Sequence, residues 1–212
     1  MGKGVSGIGN RPNIVNQANL RALTKVQRKI AAQDFESALI LNDRGRVLAK
    51  LDGDRTEVIF TPEFMQQLQG KNLLHNHPTD LPTAPSRADI LGNGLTLPKT
   101  STIVSQIGQK DVMTFNENWN RENSQKLAAQ MHLPTEHYRT GGYRRDVRND
   151  IANNKLPNMT ASQFGNLSPT QIKDFIDRQV AERHVRDIQN ILRNPTWQQR
   201  YGFTFESTYI PR

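Results

Sequence analysis

Apolar residues in the first third of the chain recur with the spacing of one helix and then of several strands. Between Asn19 and Gln33 they return every three or four positions, with arginine and lysine between them, which predicts an amphipathic helix. A turn containing Gly45 separates the first two of the strands that follow, so these two are expected to form a hairpin. Three short apolar runs predict these strands: Ser37 to Leu41, Val47 to Leu51, and Thr56 to Phe60.

A second helix and three further strands complete this part of the pattern. Thr61 as N-cap and Pro62 at the first helical position predict a helix that ends at Gly70. The further strand candidates are Asn72 to Leu74, Ser101 to Ile107, and Val112 to Phe115. Alternating helices and strands predict one α/β domain over residues 19–115, a mixed sheet flanked by helices. Residues 1–18 lack periodicity and are expected to form a flexible arm.

The pattern changes after the last of these strands. Residues 116–131 are polar and predict a helix, whereas residues 134–167 carry many Gly, Asn and Pro without a clear period. Ser168 followed by proline predicts the start of a long helix that continues to about Arg193. The aromatic tail beyond it is expected to dock on a surface or to form an edge strand. Residues 116–212 are therefore predicted to be a basic, mainly helical C-terminal region.

Composition limits the class of protein. Of the 212 residues, 35% are hydrophobic, and no stretch reaches the roughly 18–20 apolar residues of a membrane span. The first residues lack the apolar segment of a signal peptide, so we expect a cytoplasmic protein, or an effector delivered into a host cell. The chain has no cysteine, so any metal must be held by histidines and carboxylates.

The net charge of +8, from 28 Lys and Arg against 20 Asp and Glu, leaves three explanations open: a nucleic acid, an acidic partner protein, or solubility alone. The densest basic cluster lies in residues 139–148. It could follow a phosphate backbone beside a stacking aromatic, or it could be a solvated loop. Its candidate nucleic-acid-binding residues are Arg139, Arg144, Arg145 and Arg148.

The candidate chemistry lies in residues 73–90, LLHNHPTDLPTAPSRADI. His75 and His77 are two positions apart at the end of a predicted strand, so their side chains point to the same face. Asp89, in the helix that follows, can supply a third ligand, and three protein ligands plus a water are typical of catalytic zinc. Alternatively, the histidines lie exposed in a turn. Ser86 and Asp89 also fit a helix capping box, which is compatible with metal binding.

This segment resembles the signature of the JAMM/MPN+ (JAB-type) zinc metalloproteases: His-x-His-Pro, a loop, then Ser-x-x-Asp. The residues HNHP are especially similar to the motif of the bacterial and phage branch, which includes RadC-like proteins and toxin-type domains. Eight residues separate His77 from Ser86, one more than is usual in the family. The resemblance covers about residues 34–115 and implies a cytidine-deaminase-like sheet of the JAMM type.

The resemblance also implies roles for individual residues. A zinc ion (Zn²⁺) would be held by His75, His77 and Asp89, with water in the fourth position. Glu36 would act as general base and then as general acid, and Ser86 would stabilise the oxyanion. Three other carboxylates are weaker candidates: Glu57 and Glu63 for the base, and Asp80 for a ligand.

The resemblance implies a zinc-dependent isopeptidase or peptidase that hydrolyses an amide bond, with a protein or peptide substrate that ends in a ubiquitin-like tail. Two alternatives remain: a nucleic-acid-associated RadC-like module with an inactive or structural site, and a phage- or toxin-type effector. The remaining histidines and both tryptophans are expected to have ordinary structural roles: His132, His137, His184, Trp119 and Trp197.

Overall fold

The computed structural model describes residues 17–156 and 159–209, so the predicted N-terminal arm lies almost entirely outside the described residues. The described strands are β1 (Ser37–Leu41), β2 (Val47–Asp52), β3 (Asn72–His77), β4 (Thr100–Ser105), β5 (Lys110–Phe115) and β6 (Phe203–Ser207). The described helices are α1 (Gln17–Ala22), α2 (Lys25–Ala31), α3 (Pro62–Leu68), α4 (Arg87–Thr96), α5 (Arg121–Gln130), α6 (His132–Arg139), α7 (Gly142–Ala152), α8 (Ala161–Gly165), α9 (Pro169–Leu192) and α10 (Pro195–Tyr201).

The six strands form one open mixed sheet in the order β2-β1-β3-β4-β5-β6. All neighbours are antiparallel except β3 and β4, which run parallel. A parallel pair needs a crossover connection, and here the crossover contains α4. The α/β class predicted from the sequence is therefore confirmed.

Helices cover both faces of the β1–β3 part of the sheet. Because strand side chains alternate between faces, neighbouring residues of one strand enter different cores. On one face α2 and the turn before it pack on the strands through Leu23, Ile30, Leu39, Leu74 and Val104. On the other face α3 packs on the same strands through Phe64, Leu68, Ala38, Ile40 and Leu73.

The C-terminal region is joined to the sheet. Strand β6 pairs with β5, so this part of the aromatic tail forms an edge strand, one of the two alternatives that the sequence left open. Helices α4, α5, α9 and α10 pack over this end of the sheet around Ile90, Leu127, Ile188, Leu192 and Phe203. The N-terminal half of α9 instead packs on α7 through Ile176, Val180, Tyr143 and Val147.

Several predicted elements match the structure closely. Ser168 caps α9 and forms a capping box with Gln171, which confirms the start of the long helix. Thr61 likewise caps α3. The helix predicted from Asn19 to Gln33 is instead two helices, because Thr24 caps α2 and interrupts the run. None of the described helices combines the length and the apolarity that crossing a membrane requires.

One predicted strand is wrong: Thr56 to Phe60 has no partner in the sheet, and its backbone connects β2 to α3. Residues 134–167, whose sequence shows no clear period, contain the helical segments α6 to α8. Their apolar stripe is short, since Tyr143 and Val147 are the buried hydrophobic side chains of α7, and many polar residues surround them.

Two glycines of α4 give a test of the packing that positions this helix. A Cβ on Gly94 would lie 1.9 Å from Ser124 Oγ and 2.3 Å from its Cβ on α5, whereas a Cβ on Gly92 would meet nothing within 4 Å. We expect Gly94→Ala to lower the free energy of unfolding by about 1–3 kcal/mol through overpacking. The control Gly92→Ala should raise it by about 0.5–1 kcal/mol through helix propensity. Urea unfolding measures both, and equal effects would contradict the close α4–α5 contact.

Candidate metal centre

His75 and His77 lie at the end of β3 on the same face of the sheet. Strand β3 is held between β1 and β4, and His75 is paired with Ala38 on one side and Ile103 on the other. The histidine side chains are only 4% and 12% exposed. Central strand pairing therefore fixes both imidazoles in a largely buried position.

Asp89 reaches the histidines from the first turn of α4. Ser86 is the N-cap of this helix: its Oγ accepts from the Asp89 backbone N at 3.1 Å, and Asp89 Oδ2 accepts from the Ser86 backbone N at 2.7 Å. This is the capping box expected from the sequence. Because the cap fixes the rotamer of Asp89, the carboxylate is oriented before any ligand binds.

The three side chains converge on one point. One ligand atom from each of His75, His77 and Asp89 lies within 4.8 Å of the other two. His75 Nε2 is 3.0 Å from Asp89 Oδ1, and His77 Nε2 is 3.4 Å from Asp89 Oδ2. Although the His75 contact is short, neither ring nitrogen of His75 has hydrogen-bond geometry to any described atom. A buried imidazole without a hydrogen bond is costly, and this His-His-Asp group could hold a metal ion.

Charge interactions couple these groups. Burial opposes ionisation of Asp89, but the neighbouring His75 and His77 outweigh it and hold the pKa of this carboxyl well below its usual range. Burial likewise disfavours the charged form of His77, yet the hydrogen bond and charge of Asp89, followed by the charge of Glu36, raise its pKa. The cluster therefore favours positive charge near its centre, which a metal cation can supply.

Glu36 immediately precedes β1 and lines the same cavity as the His-His-Asp group. Its side chain is half-buried, and this burial raises its pKa, although the charges of His77 and His75 act in the opposite direction. A carboxyl with a raised pKa is a better proton acceptor than an ordinary carboxylate and can return the proton afterwards. The structure thus brings the predicted base and the predicted ligands together.

Asn76, between the two histidines, fixes the backbone around Glu36. Its Oδ1 accepts from the Ser37 backbone N at 2.7 Å, and its Nδ2 donates to the Phe35 carbonyl at 2.8 Å. The side chain is fully buried. Asn76 therefore connects the strand of the ligands to the residue before and the residue after the candidate base. Sequence reasoning missed this role, because the contact spans about 40 residues and no local pattern indicates it.

The centre opens into a cavity of about 620 Å³. One wall is apolar and comes from the segment before α3, from α3 itself and from α4: Val58, Phe60, Met65 and Leu95. Another wall comes from the C-terminal region: Tyr138, Ala181 and His184. An elongated ligand can therefore contact both halves of the chain while it reaches the metal centre.

The three weaker carboxylate candidates are exposed and lie outside the His-His-Asp group. Glu57 lines the cavity but is exposed, and its backbone is held by Asp54. Glu63 lies exposed in the first turn of α3, where its own backbone N–H keeps its pKa low. Asp80 is exposed and does not belong to the metal-binding group found among the described residues.

Two of the four arginines of the basic cluster are paired with carboxylates. Arg139 makes two hydrogen bonds to Glu136, and Arg144 pairs with Asp177, so both charges are neutralised locally. Arg145 donates to the Thr140 carbonyl at 2.9 Å and Arg148 is exposed on α7. Their role in nucleic-acid binding remains a prediction.

The other histidines and the tryptophans are mostly structural. Trp119 is buried in the core and donates to the Asn93 carbonyl, and Trp197 packs at the edge of the same core. His132 lies exposed near Arg87, and His137 contacts Asp146 at 2.6 Å. His184 differs, because it lines the cavity and stacks on Tyr138.

No family model matches the chain, and no curated protein matches it. Any assignment of function therefore depends on the geometry of the centre.

Metal analysis tests the centre directly. We expect purified protein to bind about one zinc ion per chain, and His77→Ala to bind little, because two remaining ligands hold zinc poorly. The control Asp80→Asn removes an exposed loop carboxylate and should leave the metal content unchanged. Retained stoichiometric zinc in His77→Ala would show that the ligands are assigned wrongly.

His184 should make stability depend on pH. Burial lowers its pKa to about 4, with Asp187 acting in the opposite direction. The unfolded chain therefore binds the proton first as pH falls, so stability is lost between about pH 6.5 and 4. From pH 7 to 5 this group alone should cost about 2 kcal/mol.

His184→Phe keeps the stacking on Tyr138 and removes the titration. The unfolding free energy of both proteins is measured in urea at pH 7 and at pH 5. Between these two pH values the parent should lose about 2 kcal/mol more than the variant. Other groups, such as Asp111 with its pKa raised to about 6 by burial, are common to both proteins. Parallel pH profiles would contradict a buried neutral His184.

Proposed function

We propose that the protein is a zinc-dependent peptidase or isopeptidase with a JAMM-type sheet and active site. One observation carries the proposal: ligand atoms of two histidines and an aspartate converge within 4.8 Å, in a cavity that the half-buried Glu36 also lines. A structural metal site is normally closed by protein ligands, whereas this group offers three ligands and opens to a cavity.

The donor set fits zinc. Two imidazole nitrogens and one carboxylate oxygen are common zinc ligands, and the chain has no cysteine that would compete for the ion. His75 Nε2 lies 3.0 Å from Asp89 Oδ1 without hydrogen-bond geometry, and an ion bound between them would be a partner for both. The chemistry that zinc supplies when bound is polarisation of the scissile carbonyl and a lower pKa of a nearby water.

The chain's own residues handle the proton and the developing charge. A carboxylate oxygen of Glu36 takes a proton from the attacking water and passes it to the leaving amine nitrogen, which its raised pKa favours. Ser86 Oγ accepts from the Asp89 backbone N, so its hydroxyl hydrogen remains available to donate. Directed at the oxyanion of the reacting amide, such a donor is worth about 3 kcal/mol.

The cavity suits an extended peptide. Within the described chain, the backbone groups of Val58 to Phe60 make no hydrogen bond, and this segment lines the cavity beside the metal centre. An extended peptide can pair with such a free edge, while apolar side chains such as Met65 and Leu95 contact its side chains. We therefore propose the tail of a ubiquitin-like protein as the substrate.

Cleavage of a ubiquitin-like protein fused through its tail to a reporter tests the proposal. The zinc-loaded parent should release the reporter, and Glu36→Gln should lower kcat at least about 100-fold, because it removes the proton acceptor. Its zinc content should stay unchanged. Glu63→Gln, which alters an exposed carboxylate outside the cavity, is the matched control. Equal rates in Glu36→Gln and the parent would exclude Glu36 as the base, and an inactive zinc-loaded parent would exclude this substrate class.

A further inference from the structure

We infer that Thr83 and Gln109 are positioning residues for the metal centre: they lock the loop between His77 and Ser86 onto the sheet and orient the ring of His77. The inference rests on the proposed zinc site and adds two residues that lie outside the His-x-His and Ser-x-x-Asp motifs. It also explains how a loop longer than usual can keep Asp89 opposite the histidines.

The first contact joins the loop to a ligand. Thr83 Oγ1 lies 2.9 Å from His77 Nδ1, on the side of the ring opposite Asp89. A metal bound at Nε2 requires the other ring nitrogen, Nδ1, to carry the hydrogen. The Thr83 hydroxyl can accept that hydrogen and so fix both the tautomer and the ring plane.

The second contact joins the loop to the sheet. Gln109 Oε1 accepts from the Thr83 backbone N at 3.1 Å, and Gln109 Nε2 donates to the Thr83 carbonyl and, at 2.9 Å, to Asp111 Oδ2. The amide therefore holds both backbone groups of one loop residue. Asp111 determines its orientation, because a flipped amide would direct its oxygen at the carboxylate.

The anchor is buried and belongs to the sheet. Gln109 is 2% exposed and lies at the turn between β4 and β5, where its carbonyl accepts from the Ser105 backbone N at 3.1 Å. Asp111 is 1% exposed and is paired with Ile103 on β4 and Ser207 on β6. Residues 78–85 form no helix or strand. The hydrogen bonds between Gln109 and the Thr83 backbone, called the clamp below, therefore hold this loop in place.

Zinc affinity of Thr83 variants, measured by competition with a chromophoric chelator, tests the orienting contact. Thr83→Val keeps the shape and removes the hydroxyl, so we expect zinc to bind about 10–100-fold more weakly, as for other lost partners of metal-binding histidines. Thr83→Ser restores the hydroxyl and should recover affinity to within about threefold of the parent. The matched control is Thr79→Val in the same loop: the Thr79 hydroxyl accepts from the Leu81 backbone N, and its contact with His77 is made by the backbone N–H, which valine keeps.

Hydrogen exchange in the metal-free protein tests the clamp separately. The Thr83 amide should be protected in the parent and should exchange about tenfold faster in Gln109→Met, which keeps the apolar bulk but loses the amide. The same variant should weaken zinc binding as Thr83→Val does. Zinc affinity equal to that of the parent in both variants would overturn the inference.

The results also separate this inference from the proposed function. If the parent binds zinc but the variants bind it equally well, the positioning role is wrong and the metal centre stands. If the parent binds no zinc while its Thr83 amide is protected, the metal centre is wrong, and the positioning role is overturned together with it.

Discussion

The candidate metal centre depends on the parallel crossover from β3 through α4 to β4. Because β3 and β4 run in the same direction, the chain must return across the sheet, and α4 therefore begins close to the end of β3. That arrangement brings the first turn of α4, with Ser86 and Asp89, opposite His75 and His77. The loop of residues 78–85 then only has to connect the end of β3 to the start of α4.

The centre concentrates negative charge around two imidazoles. Asp89, Glu36 and Asp111 all interact electrostatically with His77, and all three carboxyl groups are at least partly buried. Buried charges are costly unless paired, so such a cluster is stabilised by a cation that binds between them. A divalent ion held by the imidazole nitrogens and the Asp89 carboxylate would supply that positive charge. The same carboxylates couple the candidate base Glu36 electrostatically to the candidate ligand His77.

The sequence predicts those structural features that depend on residues close together along the chain. The spacing of His75 and His77, and the capping box of Ser86 and Asp89, are local rules, and the structure agrees with both. Asn76 and Gln109 were missed because their partners are 26 to 41 residues away, and no local pattern relates them. The segment Thr56 to Phe60 was misassigned for the complementary reason: its residues favour a strand, but a strand needs a partner, and none lies beside it in the described chain.

The C-terminal region changes how the centre is reached. Tyr138 and His184 stack with ring centroids 4.5 Å apart and form a wall of the cavity, while Val58 to Phe60 form part of another wall. Burial keeps His184 neutral at pH 7, so this wall is polar without carrying charge. The cavity beside the His-His-Asp group is therefore lined by both halves of the chain. In the proposed peptidase, residues far outside the metal-binding motif would contribute to selectivity, and a chain cut after β5 would lose one wall of this cavity.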